Sequence, residues 1–374
     1  MSAFPAKDQI ITAEVCLPAD DLGMEMPFFI DRLGFRLEEI FPADDPAVAV
    51  LSGHGMRVRL DRNADMPPGR LRLRIAEAAI DEDAGHLTSP AGTVIEMVEA
   101  YPPLHTPETQ HAFMVRHLRD GDAWVIGRAG MRYRDLIPDR LGGSIIASHI
   151  RIPDGGPVPD MVHYHTVGFQ LIFCYRGWVR LVYEDQGPPF VLEAGNCVIQ
   201  PPEIRHRVLE ASDNVEVLEI GVPAEHITTI DHQMTLPNGA INPDRVWQGT
   251  RFIHHRAKDA QWAPWRVPGW EARDTGIGAA TGGVAGVHVA RPGTGGGDPI
   301  WSSHDTNILF TFVKEGSLVL EVPDKPPHHL IAGDAFVLPP DMMARYSDMS
   351  ADCELIETAL PARFDTTYRP RNRS

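Results

Sequence analysis

The chain has 374 residues, 43% of them hydrophobic, with 33 Gly, 33 Pro and a formal net charge of −17. That apolar fraction is too high for a disordered chain, and the Gly and Pro content suits short strands joined by tight turns better than long helices. The charge opposes nucleic-acid phosphates and anionic lipid heads, and no basic stripe offsets it, so small molecules are the expected partners.

Cysteines at 16, 174, 197 and 353 form no C-x-x-C pair and are expected as reduced thiols. No apolar signal core opens the chain, and no apolar run reaches the ~18 residues of a membrane span, so a cytoplasmic protein without membrane contact is expected.

In chain order, residues 1–103 read as an α+β unit. ITAEVCLPA is a strand. DLGMEMPFFIDRLG is an amphipathic helix with Met24, Phe28 and Phe29 on one side and Gly34 as its stop. FRLEEIF, VAVLSGHGMRVRLDR, RLRLRI and TVIEMVEA follow as strands, giving the order βαβββ. Residues 104–125 read as a linker.

Residues 126–225 and 261–374 are two copies of one pattern, joined by a second linker at 226–260. GMRYRD and GGSIIASHIRIPDGG in the first match GWEARD and GGVAGVHVARPGTGG in the second. HTVGFQLIFCYRG matches HDTNILFTFVKEG, and LEAGNCVIQPPEIRH matches LIAGDAFVLPPDMMA. Each copy is a series of short Val- and Ile-rich segments bounded by Gly, Pro or Asp, which predicts an all-β barrel or sandwich.

The chemistry concentrates in the first copy. His163 and His165 form H-x-H, and alternate residues of a strand share a face, so both imidazoles point one way. Gln170 and Gly177 follow, then Gly195, Pro201 and His206. This spacing resembles the two motifs of the cupin superfamily, with Gly156, His163, His165, Gln170 and Gly177 in the first. Gly195, Pro201, Glu203 in a glycine slot, His206 and Glu210 in an asparagine slot make the second. The resemblance implies a fold that is mainly β, two cupin (double-stranded β-helix) barrels, with a divalent metal on His163, His165 and His206. Its bicupin members that cleave rings or carbon–carbon bonds imply Fe(II), with Zn, Ni or Mn as alternatives. The usual glutamate is replaced by Gln170, and three neutral imidazoles with a neutral amide leave the metal its full charge, which favours an anionic, chelating substrate.

The second copy carries Ser302, His304, Leu309 and Ala344 in the ligand slots, and one histidine cannot hold a catalytic metal. That barrel is expected to be structural. Residues 1–103 resemble one βαβββ module of the glyoxalase and extradiol-dioxygenase (vicinal oxygen chelate) superfamily, carried by ITAEVCLPADDL, DRLGF and SPAGTVIEMVE. Its ligand slots fall on Glu14 and Glu96, read as ordinary strand carboxylates because a full site needs two modules. A lone module leaves a sheet edge to be covered, by a barrel or by its twin in a homodimer.

Arg151 recurs as Arg291, so it is either a structural ion pair or an anchor for a substrate carboxylate, and with Gln170 it is the candidate catalytic residue outside the ligands. Gln200 and Tyr183 are candidate pocket liners. Trp262, Trp265 and Trp270 are expected in core or interface, and His254, His255, His328 and His329 at the surface. The functional expectation is an Fe(II) dioxygenase using O2 on a small anionic substrate. The alternatives are a non-redox metal-dependent lyase, isomerase or decarboxylase, and a small-molecule-binding protein without catalysis.

Overall fold

The structure is a computed structural model, and it describes residues 6–76, 86–120, 124–294 and 299–369. Part of the 104–125 segment, the end of the GVHVARPGTGG loop and the last residues of the second copy lie outside them. The chain divides into two compact units, Met1–Pro103 and Leu104–Ser374. No helix among the described residues is long and apolar enough to cross a membrane.

In the first unit, strand Val15–Pro18 leads into helix Leu22–Pro27, whose Asp21 side chain accepts from the Gly23 N–H at 2.9 Å. The helix widens into a π-turn over Phe28–Arg32 and stops at Gly34, in the left-handed region at φ 75°. Phe28, Phe29 and Leu33 pack on Ala49, Leu51, Val58 and Leu60. Met24, expected on that face, is 60% exposed. Strands Arg36–Phe41, Val48–Gly53 and Met56–Asp61 complete a four-stranded sheet in which the first strand runs parallel to the last. The βαβββ order is therefore complete by Asp61. RLRLRI and TVIEMVEA belong to a separate three-stranded sheet, where Arg70–Ile75 and His86–Thr88 flank Val94–Glu99.

The second unit is mainly β and holds both barrels. Each has a seven-stranded sheet, with Phe169–Arg176 paired to Val215–Val222 in the first and Ile308–Glu315 paired to Glu354–Leu360 in the second. These strands are apolar on both faces. Phe169, Leu171, Phe173, Leu218 and Ile220 meet Ile308, Phe310, Phe312 and Ile356 in one core between the barrels. The opposite faces line the barrel interiors, with Cys174, Val198 and Val217 packed with Leu181 of another sheet in the first, and Leu309 and Leu355 packed with Leu318 and Leu330 of another sheet in the second. Alternation along each strand thus serves two cores at once. All four cysteines are free thiols.

The two segments read as linkers are built into the sheets. Met114–Arg116 adds an edge strand to the second barrel by pairing with Ala335–Leu338. Ile253–His255 does the same for the first barrel on Cys197–Ile199, and Ile227–Ile230 pairs with His163–Thr166. Each barrel therefore receives a strand from the segment that leads into the other. His254 and His255 consequently are not surface residues. His255 is buried, and His254 stacks on Phe190 with ring centroids 4.4 Å apart. Burial, then Arg256, pushes the His254 pKa down to about 4.

Candidate metal centre

His163 and His165 lie on strand His163–Thr166, and His206 opens strand His206–Ala211 directly opposite His163 in the antiparallel register. Direct cross-strand neighbours have Cβ atoms roughly 5 Å apart, so pairing alone brings two imidazoles together. The three side chains are buried, and each offers a ring nitrogen within 4.8 Å of the others. Among the described residues they are the one group of His, Cys, Asp and Glu that could hold a metal ion.

Their orientation is fixed from behind. The Nδ1–H of His163 donates to the Met161 carbonyl at 2.7 Å, and that of His206 to the Ile204 carbonyl at 2.9 Å. Nδ1 of His165 bonds Thr228 Oγ1 at 2.9 Å, a partner supplied by the strand expected to be a linker. A proton on Nδ1 leaves the lone pair on Nε2, the arrangement that metal-ligating imidazoles use. Burial, then the neighbouring imidazoles, pushes the His165 pKa down to about 2 and that of His206 well below the usual histidine range. Burial, then Arg128, lowers that of His163. The set is neutral at pH 7 and ready to ligate. His163 Nε2 is buried without a hydrogen-bond partner, a cost that a metal ion would remove, so the donor set fits a divalent cation.

The imidazoles face a small cavity of about 70 Å3. Ile150, Ile152, Ile172, Leu181 and Val217 form its apolar wall, and Arg128, Tyr133, Tyr183, Gln200 and Glu219 its polar groups. Tyr183 and Gln200 are thus in the wall, with Gln200 Nε2 donating to the Tyr183 hydroxyl at 2.9 Å and Tyr183 stacked on His206. Arg128 is paired with Asp160 through Nη1, and Asp160 also accepts from the Val208 N–H at 2.9 Å. Burial, then Glu219, pushes the Tyr133 pKa up to about 12.

Gln170 is on the cavity face of its strand, two residues before Ile172, but its Nε2 donates to Glu219 Oε1 at 2.6 Å. The neutral slot is therefore backed by a carboxylate, which sets a negative charge in the cavity wall shared with the three histidines. Glu203, in the glycine slot, sits in the left-handed region at φ 63°, the conformation that makes glycine the usual residue there.

Arg151 is not in the cavity. Ile150 and Ile152 line it, so alternation turns Arg151 and His149 to the other face. There Arg151 Nη2 donates to Glu216 Oε1 at 2.8 Å and the guanidinium lies 4.8 Å over Trp124. Arg291 repeats this with Glu271 at 2.7 Å and Trp262 at 3.8 Å. The expected catalytic role of Arg151 gives way to the structural ion pair.

The second barrel's slots fall where the spacing predicts. Ser302 bridges Ala344 as His163 faces His206, and His304 pairs with Thr366 as His165 pairs with Thr228. His304 instead spends its Nε2–H on the Leu338 carbonyl at 3.1 Å, so the nitrogen its counterpart keeps free is taken. Glu14 directly precedes strand Val15–Pro18 and Glu96 lies on Val94–Glu99 in the other sheet, in ion pairs with Arg57 at 3.2 Å and Arg72 at 3.5 Å.

No family model and no curated protein sequence matches the chain. Solved structures do. Salicylate 1,2-dioxygenase from Pseudaminobacter salicylatoxidans aligns at TM-score 0.52 and 14% identity, covering 71% of this chain and 91% of that one. Its gentisate adduct aligns at TM-score 0.52 and 14% identity, with 72% and 88% coverage. A variant of oxalate decarboxylase from Bacillus subtilis aligns at TM-score 0.50 and 12% identity, with 70% and 81% coverage. These are cupin-fold proteins, and what the chain shares with them is the fold: mainly β, with two cupin barrels.

Proposed function

We propose that the chain is a metal-dependent enzyme for a small anionic substrate, and that its reaction is the Fe(II)-dependent cleavage of a carbon–carbon bond with O2. The observation that carries this reading is the convergence of three imidazoles, each with Nδ1 engaged and Nε2 turned inward, on a largely apolar cavity with Arg128 in its wall. A divalent metal held by His163, His165 and His206 would supply Lewis acidity and, as Fe(II), the electrons for reaction with O2. The chain's own part is to hold neutral donors in place, to keep bulk water out with Ile150, Ile152, Ile172 and Val217, and to offer Arg128 N–H groups to a carboxylate or enolate. The cavity admits one small ring or a short acid. The likeness to salicylate 1,2-dioxygenase, and to its gentisate adduct, supports hydroxylated carboxylic acids as first candidates.

The test is metal analysis of protein purified without chelators, followed by O2 uptake with salicylate, gentisate, catechols, 1,3-diketones and 2-oxo acids. Substrate-dependent O2 consumption supports the oxygenase. Turnover that continues unchanged without O2 refutes it and selects the non-redox alternative, a lyase, isomerase or decarboxylase. Glu219 in the cavity wall specifically favours that second reading, because it places an acid–base group beside the histidines. A fully metal-loaded protein that turns over none of these compounds would point to a binding protein.

A further inference from the structure

The two barrels carry the same pair of charged side chains and use it differently. Glu219 and Glu357 correspond. Glu219 is paired in register with Ser148 on one side and Ile172 on the other, and Glu357 with the matching His288 and Thr311. Arg128 and Arg266 correspond too, each four residues after the tryptophan that stacks with Arg151 or Arg291. In the second barrel, Arg266 grips Glu357 through Nε at 2.9 and 3.2 Å and through Nη2. Arg266 shares its small space with Ser302, His304 and Ala344, where the ligand slots are lost.

In the first barrel the arginine is diverted. Arg128 pairs with Asp160, which the Val208 N–H also holds. Glu219 accepts one side-chain hydrogen bond among the described residues, from Gln170 to Oε1. It faces the cavity that it shares with His163, His165 and His206. Where the three histidines are present, the carboxylate is left open. Where they are lost, the arginine closes on it.

We propose that Glu219 is a catalytic proton acceptor, and that the substrate class is a small acid carrying an acidic O–H: a phenol, an enol or a 2-hydroxy acid. This rests on the functional reading above. As the substrate enters, its O–H bond breaks, a new O–H bond forms at Glu219 Oε2, and the electron pair stays on the substrate oxygen. No oxidant or reductant is needed for the step. Gln170 is a positioning residue: it occupies Oε1 and so leaves Oε2 as the acceptor. The outcome also explains an amide in the slot, since a glutamate there would meet Glu219 at hydrogen-bond distance as a like charge.

The probe is 4-nitrocatechol, whose absorption reports its ionisation, bound to Co(II)-loaded wild type, Glu219→Gln, Glu219→Asp and Glu357→Gln, with metal content measured in each. Expected is fully ionised probe at pH 7 in wild type. In Glu219→Gln, at equal metal content, ionisation should need a pH about one unit higher or more. Glu219→Asp should restore the wild-type spectrum in part, and Glu357→Gln, in the other barrel, should leave it unchanged. The same ionisation in Glu219→Gln as in wild type, at equal metal content, overturns the assignment and leaves the functional reading standing. Failure of wild type to bind one metal per chain overturns both.

Discussion

The buried ion pair of the second barrel allows a quantitative test of why that barrel persists. Glu357 is 1% exposed, and three hydrogen bonds tie it to Arg266, whose guanidinium also lies over Trp265 at 4.6 Å. Burial alone would lower the Arg266 pKa, and the Glu357 carboxylate more than reverses this, so the arginine stays charged. Arg266→Met keeps most of the volume and the apolar packing but leaves a buried carboxylate without its counter-charge. Breaking such a pair from one side costs about 3–5 kcal/mol. At roughly 2–4 °C per kcal/mol for a domain of this size, the melting temperature should fall by about 6–20 °C. The double variant Arg266→Met/Glu357→Leu removes both charges and should return to within about 1 kcal/mol of wild type. Urea denaturation with excess chelator, and metal content measured separately, give the two readouts. Metal stoichiometry should not change, because the three histidines proposed to hold the metal are in the other barrel. A single variant within about 1 kcal/mol of wild type, or a double variant as unstable as the single, would refute the reasoning.

His206→Ala should abolish stoichiometric metal while His304→Ala leaves it intact; loss of metal in the second variant would mean that the second barrel contributes a ligand. Gln170→Glu places a second carboxylate 2.6 Å from Glu219, so one of the pair should hold its proton above the unfolded value. Its stability relative to wild type should then be greatest in acid and decline as pH rises from about 4.3 through the raised value, by about 1.4 kcal/mol per unit, as read by urea midpoints of metal-free protein. The depressed pKa of His165 acts the other way: the unfolded chain takes up the proton first, so metal-free protein should lose stability as pH falls below about 6.5, and His165→Asn should show a slope smaller by about one proton. A parallel slope in that variant would mean that His165 is protonated in the fold.

What the sequence shows plainly is what short-range geometry decides. His163 and His165 share a face because they alternate on a strand, and the repeat reveals two barrels because each copy keeps its turns. What it hides comes from pairing at long range. Glu219 reaches Gln170 only through the register of two strands 49 residues apart. Arg151 could not be assigned a side from hydrophobic alternation, because its sheet is buried on both faces, one against the second barrel and one around the cavity. Ile227–Ile230 and Ile253–His255 are too short and too polar to be read as strands until their partners are known, yet the first supplies Thr228 behind His165. The cavity's acidic group had one available signal, the recurrence of Glu219 as Glu357 across the repeat.

The exchange of edge strands gives the second barrel a role that its chemistry does not. Met114–Arg116 precedes the histidine-bearing half yet completes the other, and Ile253–His255 precedes the silent half yet completes the one with the histidines. The halves are clasped like two hands, and neither can be excised at the sequence boundary without tearing a strand from its neighbour. Two arm-swapped subunits, once fused head to tail, would keep this embrace. It makes the half without the three histidines indispensable, since the barrel that carries them has an edge sealed by a strand from the segment that leads into the other.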